Sequence, residues 1–215
     1  RGRVRDRERH RERAARREIR GDVLEHAGVL AEREREHHLQ SIRTGQLLRR
    51  VALHPVGGYP GNDDEGRALQ RSLDRGRIEQ DFIAAASHLK AHSLSTGKLG
   101  AVGFCFGGYI VNLLAAVLPD DLDAAVPFYG TPAARELRGT IRGPLLIQLA
   151  ELDQRVNASW PEYEEDLETA GATYTMHLYP GANHGFHNDS TARYDEASAE
   201  LAWRRTLEFF RAHLA

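Results

Sequence analysis

The single cysteine of this chain lies in the segment Gly103-Phe104-Cys105-Phe106-Gly107-Gly108, directly after a short apolar run. Apolar residues also fill most of 109–118, as is typical of a buried helix. A strand that turns sharply into a helix forces the residue at the apex into a strained conformation and leaves little room beside it, which Gly103 and Gly107 provide. The N-terminus of the helix would favour a thiolate. We therefore predict that Cys105 is a nucleophile rather than a small buried apolar side chain, the usual role of a lone cysteine.

A cysteine nucleophile needs a base, and the base needs a carboxylate that fixes its tautomer. The apolar run 144–150 is typical of a buried strand, and Asp153 follows in the loop beyond it. A second predicted strand over 173–178 leads into a turn-rich loop that carries His184. Because functional groups gather beyond the carboxyl ends of parallel strands, we predict Asp153 as the orienting acid and His184 as the base. The order nucleophile, acid, histidine is that of the α/β-hydrolase fold.

Other side chains compete for these roles, since the chain has 11 histidines. His177 lies inside a predicted strand and is expected to pack there or to line its edge. His187 lies in a polar loop, where histidines are more often exposed than catalytic. Glu151 directly ends a strand, so we expect it to cap or line the turn. His184, His187 and Asp189 have no second ligand cluster at a recognised spacing, so no metal site is predicted.

The order of apolar runs and turn signals predicts alternating helices and strands. Helices are predicted over 63–73, 78–92, 107–118, 160–170 and about 192–213, and strands over 98–103, 123–129, 144–150 and 173–178. This alternation favours an α/β fold, with a mostly parallel sheet covered by helices on both faces.

Residues 1–53 form an atypical Arg/Glu-rich segment. Within 1–50 there are 15 Lys and Arg residues, nine Asp and Glu residues and no aromatic residue. So charged a segment cannot bury enough apolar surface to make core strands, and only 47–53 could form one. Its composition is compatible with a solvated helix or with disorder. Three interpretations compete: a basic arm, a divergent replacement for core strands, and a reading-frame or assembly artefact fused to a domain over 54–215. The abrupt change of composition near Pro55 favours the third.

Composition also limits the partners of the chain. The net charge of −2 combines a basic first segment with an acidic remainder, so no nucleic-acid surface is expected. No run is long and apolar enough for a membrane span or a secretory signal, which predicts a cytoplasmic protein that contacts no membrane. A single cysteine allows no internal disulfide and lacks the resolving thiol that a redox sensor would use.

Three segments of the sequence, Gly103–Gly108, Glu151–Asp153 and Tyr179–Phe186, together resemble the dienelactone hydrolase (carboxymethylenebutenolidase) family of the α/β-hydrolase superfamily. Segments 55–64, 126–130 and 193–203 extend the resemblance, which covers about residues 55–215.

The resemblance implies a cofactor-free hydrolase of small esters or lactones, with a triad of Cys105, Asp153 and His184 and a thioester intermediate. It further implies that the backbone N–H of Phe106 is one oxyanion donor. The partner is then a small-molecule ester or lactone, and a monomer or weak homodimer is expected. The family places its first strands and its second oxyanion donor in the region that is atypical here, so these N-terminal strands are missing or replaced. The alternative is a catalytically incomplete hydrolase remnant without turnover.

Overall fold

The computed structural model describes Ala68 and residues 71–215. The atypical segment 1–53, with its predicted strand over 47–53, lies outside the described residues, as does most of the predicted helix over 63–73. No helix in this part of the chain is both long and apolar enough to cross a bilayer.

Six helices and four strands have both ends within residues 71–215, and at least one helix lies between successive strands. In chain order they are α1 (Arg75–Ala91), β1 (Gly100–Phe104), α2 (Phe106–Val117), β2 (Ala124–Phe128), α3 (Arg135–Arg138), β3 (Leu145–Ala150), α4 (Gln154–Asn157), α5 (Trp160–Ala170), β4 (Tyr174–Tyr179) and α6 (Glu196–Leu214). The four predicted strands are confirmed to within two residues at each end, and the helix predicted over 160–170 has the same bounds as α5. The one-turn helices α3 and α4 were not predicted, because four residues are too few to show a helical period.

Side-chain caps set the helix starts that differ most from the prediction. The carboxylate of Asp74 accepts the N–H of Arg77 at 3.1 Å, so α1 begins three residues before the predicted start at 78. The carboxylate of Asp195 accepts the N–H of Ser198 at 2.8 Å, so α6 begins at Glu196 rather than near 192.

The four strands form one parallel sheet in the order β1-β2-β3-β4. On one face of this sheet, α1, α2 and α5 pack against the core residues Ala125, Leu145, Ile147 and Leu149. On the other face, α6 packs against Val126, Phe128, Leu146 and Ala150. The predicted α/β-hydrolase-type sheet, covered by helices on both faces, is confirmed for the described residues. Its carboxyl edge is therefore formed by the loops that follow β1, β2, β3 and β4.

A buried polar group joins the sheet to α6. The side chain of Gln148, on β3, is fully buried. Its Oε1 accepts the hydroxyl of Tyr179 at 2.5 Å, and its Nε2 donates to the carbonyl of Ala202 at 3.1 Å and to Oγ1 of Thr206 at 3.2 Å. Because a buried amide without partners costs about 1–3 kcal/mol, these bonds favour one position of α6 on the sheet.

Candidate active site

Cys105 occupies the turn between β1 and α2. Its backbone has φ 55° and ψ −113°, a region that residues with a side chain rarely enter, and the residue is exposed. The N–H of Cys105 donates to the carbonyl of Phe128 at 3.0 Å, and its carbonyl accepts the N–H of Tyr109 at 3.1 Å. The turn is thus tied on one side to the end of β2 and on the other to the first turn of α2. The sharp strand-to-helix turn predicted at Cys105 is present.

Glycines permit this turn by allowing two close backbone contacts. A Cβ on Gly103 would lie 2.1 Å from the carbonyl oxygen of Gly107, so no side chain fits at 103. A Cβ on Gly108 would lie 2.6 Å from the carbonyl oxygen of Phe128, and a Cβ on Gly130 would lie 2.2 Å from the backbone of Gly108. Gly107 itself faces open space. The prediction that both glycines provide room beside the turn is therefore right for Gly103 and wrong for Gly107. A side chain at 107 would meet no other atom; it is the backbone carbonyl of Gly107 that leaves no space for a side chain at 103.

Asp153 lies beyond the carboxyl end of β3 and caps the short helix α4. Its side chain is 6% exposed. One carboxylate oxygen, Oδ1, accepts the N–H of Val156 at 3.3 Å, and the other, Oδ2, lies 2.5 Å from Nδ1 of His184. One end of the carboxylate is thus fixed by backbone while the other is aimed at the imidazole.

His184 follows β4 in a loop shaped by Gly181 and Gly185, which have φ 70° and φ 84°. Such values suit glycine, since it has no Cβ. The loop is fastened to the end of β3, because the N–H of Leu152 donates to the carbonyl of Ala182 at 3.0 Å. Residues from two neighbouring strand ends therefore meet, and the structure brings His184 between Asp153 and Cys105.

The pKa values of the thiol and the imidazole are shifted in opposite directions. The hydrogen bond with His184 is the main cause that lowers the pKa of Cys105 below its ordinary value of 9.0; partial burial opposes it, and the charges of His184 and Arg155 add to it. The hydrogen bond with Cys105 is in turn the main cause that raises the pKa of His184 above 6.5, against burial and with help from Asp153. Together these shifts favour a thiolate paired with an imidazolium.

The backbone N–H of Phe106, the first residue of α2, also lowers the pKa of Cys105. When a thiolate attacks a carbonyl carbon, negative charge develops on the carbonyl oxygen close to the sulfur. An N–H group that stabilises the thiolate is therefore also near that oxygen. The position of Phe106 is compatible with its predicted role as an oxyanion donor.

The competing residues have other roles. Glu151 accepts the N–H of Gly181 at 2.8 Å, which confirms the prediction that it caps or lines a turn. His177 lies on β4, an edge strand of the described sheet, opposite Gln148. His187 was expected to be exposed, and this is wrong: its ring lies 5.0 Å from that of Phe104, and burial lowers its pKa. Within residues 71–215 no three acidic, histidine or cysteine side chains are grouped so as to hold a metal ion.

Sequence reasoning gave no role to Tyr129, which directly follows β2. Apart from Cys105, it is the one non-glycine residue of the described chain with positive φ, at 37°. Its side chain is 3% exposed, and its ring centroid lies 5.0 Å from that of His184. The signal that could have found it is an aromatic residue before a glycine at the carboxyl end of a buried strand, the edge where the other candidates lie.

Comparisons with known proteins identify the family of the chain. The chain is 32% identical over 170 residues to protein usf of Aquifex pyrophilus, covering 74% of this chain and 71% of that protein. It is 30% identical over 148 residues to the carboxymethylenebutenolidase of Pseudomonas putida, covering 68% of this chain and 62% of that enzyme. The crystal structure of a candidate dienelactone hydrolase from Klebsiella pneumoniae superposes with a TM-score of 0.61 and 27% identity, over 71% of this chain and 68% of that one. The dienelactone hydrolase family model matches residues 47–214, and the chain belongs to this family of hydrolases.

Proposed function

We propose that this chain hydrolyses small esters or lactones by nucleophilic catalysis, with Cys105 as nucleophile, His184 as base and Asp153 as the acid that orients it. The observation that carries the proposal is an exposed cysteine on a strained turn at the N-terminus of α2, next to His184, which lowers the pKa of its thiol and is itself paired with Asp153. A cysteine whose only role is packing needs neither a lowered thiol pKa nor an exposed position.

In the acylation step, the Sγ thiolate of Cys105 attacks the carbonyl carbon of the ester and forms a C–S bond. The electron pair of the carbonyl moves to its oxygen, where the N–H of Phe106 stabilises the charge; one such donor is worth roughly 10²–10³ in rate. As the oxyanion collapses, the C–O bond breaks and the imidazolium of His184 gives its proton to the leaving alkoxide. With a lactone, the alcohol remains attached to the acyl group.

In the deacylation step, neutral His184 takes a proton from water, and the hydroxide attacks the thioester. The C–S bond breaks, the carboxylic acid leaves and the Cys105 thiolate is paired again with the His184 imidazolium. Throughout, the bond from Nδ1 of His184 to Asp153 keeps the imidazole in the tautomer whose other nitrogen faces the thiol.

The side chains around the turn suit a small substrate with apolar parts. Phe106 follows the nucleophile and is 43% exposed, and Leu152 precedes the acid and is 53% exposed. Two large apolar groups therefore lie open to solvent at the edge of the sheet that carries Cys105. The relative from Pseudomonas putida is named for a butenolide, a small unsaturated lactone. We expect a substrate of that size rather than a polymer.

The proposal is tested by hydrolysis of p-nitrophenyl acetate and of dihydrocoumarin, an ester and a lactone, by the purified full chain. Turnover is expected for both substrates, and Cys105→Ala is expected to lose at least about 10³-fold of the rate. After an acid quench, mass spectrometry should find the acetyl group on Cys105.

Asp189→Asn is the matched control, because it also changes one side chain near the histidine loop but not one of the three proposed groups. It should keep the wild-type rate within about twofold. Two results would count against the proposal: equal rates for the wild type and Cys105→Ala in folded samples, or an acyl group found on another residue. The first result would favour a hydrolase remnant without turnover.

A further inference from the structure

The backbone of Tyr129 is strained beside the candidate site. A non-glycine residue at φ 37° costs about 1–3 kcal/mol relative to a relaxed conformation. Glycine or asparagine would adopt this conformation at lower cost. A large aromatic side chain at this position therefore needs a reason beyond the turn itself.

The path of the backbone leaves Tyr129 little freedom. Its N–H donates to the carbonyl of Gln148 at 2.8 Å, which holds it to β3. The next residue, Gly130, is in backbone contact with Gly108 in the first turn of α2. Since the carbonyl of Phe128 accepts the N–H of Cys105, the loop after β2 and the turn at Cys105 form one rigid unit. Tyr129 is thus fixed relative to the nucleophile by backbone contacts on both sides.

The ring of Tyr129 extends from this unit to the imidazole of His184. The two centroids are 5.0 Å apart at an interplanar angle of 58°, and Phe186 lies 5.4 Å from Tyr129 on another side. The contacts of its two ring nitrogens with Asp153 and Cys105 fix His184 along one line, and the ring remains free to rock about that line. An aromatic ring against the imidazole removes that freedom.

From this geometry we infer that Tyr129 is a positioning residue that holds the imidazole of His184 in line between Asp153 and Cys105. The inference rests on the proposed function, because it assigns Tyr129 a task in the same reaction. It acts through packing and not as an acid or base. Burial raises the pKa of Tyr129, and the nearby charge of Cys105 raises it further, so the hydroxyl keeps its proton.

The test compares Tyr129→Phe, Tyr129→Leu and Tyr129→Gly with Tyr163→Leu in the full chain. Tyr163 is a matched control, because it is 1% exposed, its ring packs on Trp160, and it lies in the core on the other face of the sheet. Ester hydrolysis gives kcat and KM, and the rate of alkylation by iodoacetamide against pH gives the ionisation of Cys105. Thermal unfolding gives the folded fraction of each variant.

Tyr129→Phe keeps the ring and should match the wild type in both readouts. Tyr129→Leu and Tyr129→Gly should lower kcat by about 10- to 100-fold per folded molecule with little change in KM, because the base is no longer held in place. In both, the alkylation midpoint should move up toward that of a free cysteine. Tyr163→Leu should lower the melting temperature and leave the alkylation midpoint where it is.

Tyr129→Gly also relieves the backbone strain, which offsets part of the cost of the lost ring, so we expect it to remain folded at low temperature even if Tyr129→Leu unfolds. The inference is overturned if the folded Gly variant keeps the wild-type alkylation midpoint, or if Tyr163→Leu moves the midpoint equally. Alkylation needs no turnover. A wild type that hydrolyses no ester but shows the Tyr129 effect on alkylation would overturn the proposed function and leave the positioning role standing.

Discussion

The two halves of the candidate site are built in different ways. Cys105 comes from β1, whose central Val102 is 37% exposed, and it is held by contacts within the short segment 103–109 and with the end of β2. Asp153 and His184 follow β3 and β4, and β3 is buried along its whole length. They are 31 residues apart in sequence and meet because those two strands are neighbours. The nucleophile half is thus determined by local backbone, and the acid and base half by packing between distant parts of the chain.

Because of this difference, substitutions in the two halves should affect different properties of the protein. A substitution in the nucleophile half should lower stability, because the close backbone contacts of the turn leave no space to adjust. A change in the acid and base half should act on the chemistry of the imidazole and leave the fold in place.

The largest expected effect is that of Asp153→Asn. The amide can still accept the N–H of Val156, but it no longer favours the charged imidazole, so we expect kcat to fall by about 10²–10⁴-fold with a melting temperature near that of the wild type. Steady-state kinetics and thermal unfolding measure the two. A large loss of stability would break the comparison, because it would make the acid as structural as the turn.

Gly103→Ala should have the largest effect on stability. Its Cβ would lie 2.1 Å from the carbonyl oxygen of Gly107, and we expect the free energy of unfolding to fall by about 3 kcal/mol. Gly107→Ala adds the same methyl group four residues later, where nothing lies within 4 Å, and should be neutral or stabilising by about 0.5–1 kcal/mol. Urea unfolding of both variants measures the contrast, and equal effects would contradict the local origin of the turn.

The dependence of Cys105 alkylation on pH tests how the halves are coupled. A lowered thiol pKa means that the thiolate is present at pH values below 9.0, and a raised His184 pKa means that the imidazolium persists above 6.5. The alkylation rate should therefore rise with pH around a midpoint below that of free cysteine. His184→Ala removes the main cause, so its midpoint should move up; an unmoved midpoint would mean that the helix N-terminus alone ionises the thiol.

The smallest expected effect is that of Glu151→Ala. Loss of the hydrogen bond to the N–H of Gly181 should cost about 1 kcal/mol and loosen the loop that carries His184, with a decrease of a few-fold in kcat. Glu151→Gln keeps an acceptor oxygen and should stay closer to the wild type. If Glu151→Ala abolished activity without unfolding, the carboxylate would belong to the chemistry rather than to the turn.

The parts of the fold that could be predicted from the sequence are those encoded over short stretches. The strands and the helix α5 follow from apolar runs and a proline in the first turn, and the turn at Cys105 follows from its neighbouring glycines. The close contact of Gly108 with Gly130 could not be predicted, because it joins elements that only the sheet brings together. The same holds for the burial of His187 and for the contact of Tyr129 with His184. These features depend on which elements are neighbours, and periodicity does not contain that information.

The buried amide of Gln148 bears on how the enzyme is made. Cys105, Asp153 and His184 all leave the ribosome before α6, yet the partners of Nε2 of Gln148, the carbonyl of Ala202 and the hydroxyl of Thr206, belong to that helix. Until α6 docks, Nε2 of Gln148 lacks these two acceptors. The apolar side chains on the face of the sheet that α6 covers also remain open to water. Docking of this helix, rather than synthesis of the three proposed groups, is therefore expected to complete the sheet that positions them.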